Sequence, residues 1–146
     1  MEKLRGFTLI EIVLVIALIG VTASVVISLV NPVQQFKKAN DAKRKADLTQ
    51  LQAALELYRA DQDTYPDSLP ACGSSLVGGT ATYLQRIPCD PRNTGQFMYN
   101  YERLTFNTYQ LIACLENTTD INKDATNNTT YCEGDTTNWS YTVTNP

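Results

Sequence analysis

The 146-residue chain has no histidine. Imidazole-built zinc sites and His-dependent acid–base catalysis are therefore excluded. Its four cysteines, Cys72, Cys89, Cys114 and Cys132, form no C-x-x-C pair, which removes the sequence basis for a zinc ribbon or a thioredoxin-like redox site. No nucleophile stands with a base, no glycine-rich loop is built to cradle phosphate, and no carboxylates suggest a catalytic cleft. An enzyme is not expected. Cations are scarce in the C-terminal part: residues 64–146 carry only Arg86, Arg92, Arg103 and Lys123 against eight acids, within a net charge of −3 for the whole chain. That balance argues against a nucleic-acid surface.

What is present begins with grease. From Ile12 to Phe36 no residue is charged. As a helix rising about 1.5 Å per residue, the run reaches roughly 37 Å, enough to cross a hydrocarbon core of about 30 Å. A cleavable secretory signal has a shorter apolar core and an A-x-A-like site after it, and neither feature is here. Lys3 and Arg5 place the short N-terminal end in the cytoplasm by the positive-inside rule, so the remainder is exported. Lys37, Lys38, Lys43, Arg44 and Lys45, on the exported side, weaken that asymmetry. In an oxidising compartment the four cysteines read as two disulfides. Three pairings are possible; Cys72–Cys89 and Cys114–Cys132 are favoured because each closes a short local loop, worth roughly 3 kcal/mol in the chain-entropy model.

One acid, Glu11, interrupts the start of the apolar segment. An ionised carboxylate in lipid costs about 2.5–3.5 kcal/mol even on lenient scales, so it needs a partner. Cleavage between Gly6 and Phe7 would create one, since a new α-amine has a pKa of about 7.7–8.0. Opposite charges at about 4 Å attract by roughly 4 kcal/mol at an effective dielectric of 20. A neighbouring chain's amine, shifted along the helix axis, reaches Glu11 more directly than the chain's own. Such a contact is head-to-tail and builds a polymer.

The stretch "RGFTLIEIVLVIALIG" (residues 5–20) resembles the class III signal of type IV prepilins and pseudopilins. A basic leader ends in glycine, phenylalanine follows, then Thr8, with glutamate five places after the glycine. The resemblance implies that a membrane prepilin peptidase cleaves after Gly6 and methylates the Phe7 amine. It further implies that Thr8 and Glu11 serve assembly, with Glu11 meeting the Phe7 amine of the adjacent subunit. "YRADQDTYPDSLP" and "YLQRIPCDPRN" resemble the end of the long helix and the following loop in the pseudopilin-like branch. The family usually has a kinking proline near position 28 of this chain; here Ser28 stands there, and the proline is Pro32.

Gly20, Ser24 and Ser28 form a small-xxx-small stripe suited to helix packing in lipid. Pro32 predicts a bend or the start of a second helix. Leu48, Leu51, Leu55 and Tyr58 step by three, four and three, one apolar stripe that Ala54 and Leu57 widen. The preceding stretch around Ala39, Ala42 and Ala46 is basic and weakly apolar, so it is expected to project from the globular domain with most of its charges solvated. Tyr65-Pro66 stops the helix. Gly, Ser, Thr and Pro then mark a loop to about Asn93. Phe97, Tyr99 and Tyr101, and Tyr109, Leu111, Ala113 and Leu115, alternate as two strands joined across "RLTFN", with a third near Trp139, Tyr141 and Val143. Asp120, Asn122 and Asp124 have the opening spacing of an EF-hand, but Ala125 replaces its glycine and Tyr131 its closing glutamate. No metal ligand set is assigned. A looser calcium site, of the kind some pseudopilins hold in a C-terminal loop, remains open.

The expected fold is α+β: a leader (1–6), a transmembrane and polymerisation helix (7–30), an amphipathic continuation (31–63), and a disulfide-containing head (64–146) with a small antiparallel sheet. The expected function is a filament subunit, a homo-oligomer built through the N-terminal helix. Membrane lipid would surround that helix before assembly, and the resemblance implies an inner-membrane assembly platform as partner. A major pilin for adhesion, motility or DNA uptake is the leading reading, with an extracellular or periplasmic filament. A pseudopilin driving protein export is the alternative, and a non-polymerising membrane-anchored binding domain is the rival from another class.

Overall fold

The computed structural model describes residues 6–29, 31–133 and 138–146; side chains of residues 27–29 lie outside that description. The expected leader falls, apart from Gly6, outside it as well. The chain forms two compact units, one ending at Gln35 and one running from Phe36 to Pro146.

The first unit holds helix α1 (Leu9–Leu29), whose Leu9–Val26 stretch is long and apolar enough to cross a membrane. Its large apolar side chains are exposed on every face, so burial within the chain does not stabilise it. A helix that is apolar all round needs lipid or other helices. Helix α2 (Pro32–Gln62) begins where Pro32 stands. Asn31 caps it, its Oδ1 accepting from Gln34 N at 3.3 Å, and Pro32 takes the first helical position, where no N–H is needed. The helix ends at Gln62, and Asp63 follows with φ of 58°.

In the second unit, α2 packs on a sheet of three antiparallel strands, β3 (Asn100–Thr105), β4 (Thr108–Leu115) and β5 (Trp139–Thr144), in the order β3-β4-β5. The register pairs Tyr101 with Leu111, and Ala113 with Tyr141. Leu48, Leu51, Ala54 and Leu55 meet Tyr109, Leu111 and Ala113 from β4, and Tyr65, Leu76 and Ile87 complete this core. The opposite face of β4 is covered too: Ile112 and Cys114 pack with Phe97 and Cys132. The central strand is therefore buried on both faces over its second half.

Several expectations are corrected. Leu57 does not widen the stripe, being 60 % exposed. The stretch before Leu48 does not project free of the head: Asp41, Arg44 and Asp47 are buried against it, while Lys38 and Lys43 are exposed as expected. The supposed loop to Asn93 contains a hairpin, β1 (Leu76–Gly78) with β2 (Ala81–Leu84). Strands of three and four residues are too short to display a period, and the turn-rich composition hides them. Gly78 is required there, because an added Cβ would lie 2.8 Å from the Tyr58 ring. Phe97 and Tyr99 precede β3 and do not belong to it; Phe97 turns to the far face of the sheet, while Tyr99 packs on the α2 side and donates to Asp47 at 2.7 Å. Burial and that donation hold the Tyr99 hydroxyl above the usual phenol range.

Candidate assembly site

The residues singled out at the N-terminus meet in one turn. Phe7 is 78 % exposed ahead of α1. Thr8 caps the helix: its Oγ1 accepts from Glu11 N at 3.3 Å, and Glu11 Oε2 accepts from Thr8 N at 3.5 Å. This is a capping box, in which each side chain serves the other residue's free backbone N–H. The carboxylate thus sits at the positive end of the helix dipole, on the backbone N–H of Thr8, the residue after Phe7. Gly6 lies just before, outside regular structure.

Along α1, a Cβ on Gly20 would meet nothing within 4 Å, so this part of the helix surface is open for close approach. Ser24 Oγ donates to Val21 O at 2.7 Å, and Thr22 Oγ1 to Leu18 O at 3.0 Å. Returning hydroxyls to the helix's own carbonyls leaves them compatible with lipid. Ser28 lies in α1 by its backbone; its side chain is outside the described set.

Both cysteine pairs close locally: Cys72 with Cys89 and Cys114 with Cys132, at Cα separations of 5.0 and 5.6 Å. The second disulfide is buried under the sheet, whereas Cys72 is exposed.

A polar seam between α2 and the head was not foreseen. Arg44, fully buried, donates to Asp90 through Nε (2.6 Å) and Nη2 (2.9 Å), and through Nη1 to Asp41 (2.8 Å) and Glu116 (2.9 Å). Asp41 also accepts from the backbone N–H groups of Glu116 and Asn117, each at 2.8 Å. Asn40 reaches Glu116 at 2.9 Å. Burial opposes the guanidinium charge, but Asp90, Asp41 and Glu116 outweigh it and keep the group charged. Phe97 lies under two cations, Arg44 and Arg92, at 4.8 and 4.2 Å from its ring centre. Three carboxylates do converge here, but on an arginine, so they form a structural lock. The signal was available: counting back from Leu48, Arg44 and Asp41 share the phase of the leucine stripe. A buried arginine needs such partners, and the basic run drew attention away from its phase.

Asp120 Oδ1 accepts from Lys45 Nζ at 2.6 Å, and Asn122 Oδ1 faces the same ammonium at 3.2 Å. Asp124 turns instead to β5, accepting from Ser140 Oγ, Thr142 N and Thr142 Oγ1 at 2.6, 2.9 and 2.7 Å. Among the described residues no group of three His, Cys, Asp or Glu side chains could hold a metal. The three oxygen ligands do not converge and already have donors, so they do not fit calcium.

No family model and no solved structure matches the chain. Curated relatives do. Type II secretion system core protein G of Escherichia coli (strain K12) is 33 % identical over 109 residues, covering 68 % of this chain and 74 % of the relative. The protein of the same name from Klebsiella pneumoniae is 34 % identical over 101 residues, covering 62 % and 71 %. That of Vibrio cholerae is 28 % identical over 121 residues, covering 76 % and 82 %. These likenesses favour the secretion alternative over the surface-fibre reading placed first from the sequence. Together with the apolar α1, its capped glutamate and the α+β head, they show that the chain belongs to the type IV pilin and pseudopilin family.

Proposed function

We propose that the chain is a pseudopilin of a type II secretion system, a structural subunit that polymerises through α1 into a periplasmic filament used in protein export. The observation that carries this reading is the likeness to core protein G, joined to the position of Glu11, the one charged residue of α1. In the precursor the carboxylate rests on its own Thr8 N–H through a long hydrogen bond. Cleavage after Gly6 by a prepilin peptidase frees the Phe7 amine beside it, and methylation keeps that amine cationic. At the inner-membrane assembly platform, the amine of a neighbouring copy takes over the carboxylate, and α1 exchanges lipid for other helices. The head stays outside the cytoplasm. The chain itself carries out no catalytic step.

The test uses Glu11→Ala in the intact cell. The variant is expected to insert and to be processed to a Phe7 start, seen by N-terminal sequencing, while filaments and export of the secreted substrate are lost. A retained Met1, or normal filaments from Glu11→Ala, overturns the reading. Abundant filaments sheared from the cell surface, with export unaffected by deletion, would return the chain to the surface-fibre pilins.

A further inference from the structure

The loop between Cys114 and Cys132 holds two ammonium groups where oxygen atoms gather. Lys45, from α2, bridges Asp120 and Asn122, with Tyr141 flanking it at 5.8 Å from the ring centre. Lys123 donates to Thr118 O at 2.6 Å and stands 4.0 Å above the Trp139 ring. Of the loop's other two acids, Glu116 is held by Asn40 and Arg44, and Asp124 is spent on β5. Calcium needs six to eight oxygen ligands, typically with several carboxylates on one ion. Here a dication would have to displace Lys45 from Asp120, draw Asp124 off three donors, and sit beside a second ammonium.

We propose that this loop is held by lysines of the chain itself in place of a divalent metal ion, with Lys45 as the main tie between the loop and α2. The seam then needs no cofactor: Asn40, Asp41, Arg44 and Lys45, on neighbouring turns of α2, reach Glu116, Asn117, Asp120 and Asn122 by side chains alone. Fold of the loop becomes independent of calcium supply, and its Asp120–Asn122 part depends on Lys45. The inference stands apart from the secretion reading, because it concerns how the head is built and holds equally for a surface pilin.

The test is made on the full chain in detergent micelles. Thermal unfolding is followed in calcium chloride and in EGTA, alongside hydrogen exchange of the Thr118–Lys123 amides. The wild-type Tm is expected to be the same in both solutions. Lys45→Met is expected to lower Tm by about 3–6 °C in either and to speed exchange in the loop. With Asp120→Asn added, the double variant should lose less than the sum of the single losses. A wild-type Tm that rises with calcium and falls with EGTA overturns the proposal. So does a Lys45→Met protein whose loop amides exchange as slowly as the wild type's.

Discussion

Arg44 shows what one side chain decides. Its guanidinium makes four hydrogen bonds inside the protein, and without it Asp41 and Asp90 would be buried carboxylates with backbone N–H donors alone, and Glu116 would keep only Asn40 and a 3.6 Å contact to Arg92. Breaking such a set costs about 3–5 kcal/mol, a large share of a small domain's total stability. Arg44→Met is therefore expected to lose about that much in urea unfolding, while the exposed neighbour Lys43→Ala changes stability by no more than about 0.5 kcal/mol. Equal effects from the two would contradict the lock. Asp120 adds a pH dependence. Burial raises its pKa, but the Lys45 hydrogen bond and charge and the Asn122 N–H more than reverse this, so the carboxyl titrates below its ordinary value. A depressed acid contributes stability above the unfolded-state pKa of about 3.9 and loses it as pH falls through the lower folded value. The Tm gap between wild type and Asp120→Asn should thus be full at pH 7 and close in acid. A gap that widens on acidification would reverse the assignment.

At the scale of elements, local chemistry was legible where it was strong. Asn31-Pro32 starts α2 because a side-chain cap and a residue without N–H suit that position, whatever surrounds them. The leucine stripe and the alternation of Tyr109, Leu111 and Ala113 reported the two surfaces that meet in the core. Alternation failed for Phe97 and Tyr99, because period two does not say where a strand begins. It also understated β4, whose other face is covered by Phe97 and the Cys114–Cys132 disulfide. That disulfide and Cys72–Cys89 differ in access, which yields a prediction. Mild reduction followed by alkylation and mass mapping should label Cys72 and Cys89 in the folded protein, and Cys114 and Cys132 only on unfolding. Replacing both Cys114 and Cys132 by alanine is expected to cost roughly 3 kcal/mol in denaturant unfolding. Simultaneous labelling of all four would show that burial does not protect the second pair.

For the whole molecule, the two units face different tests of stability. The head closes its own core, and among the described residues no buried side-chain nitrogen or oxygen lacks a partner. Helix α1 has no core at all, only an apolar surface and a capped acid at its end. Such a surface needs lipid or other helices around it; on the proposed role of the acid, Glu11→Ala is expected to spare insertion and processing yet remove filaments, as scored by N-terminal sequencing and electron microscopy. The amino-acid order alone determined the membrane-length helix, its isolated acid, the class of fold and the helical stripe that carries the head. These depend on composition and on period within a single segment. Tertiary structure decided which members of the basic run are buried, that Asp41, Asp90 and Glu116 gather on Arg44, and that Lys45 meets Asp120. Each of those joins residues about 45 to 75 positions apart, with the helix-borne Asp41 added by its phase. Charge pairing across such distances is set by how α2 lies on the sheet, and no local pattern encodes it.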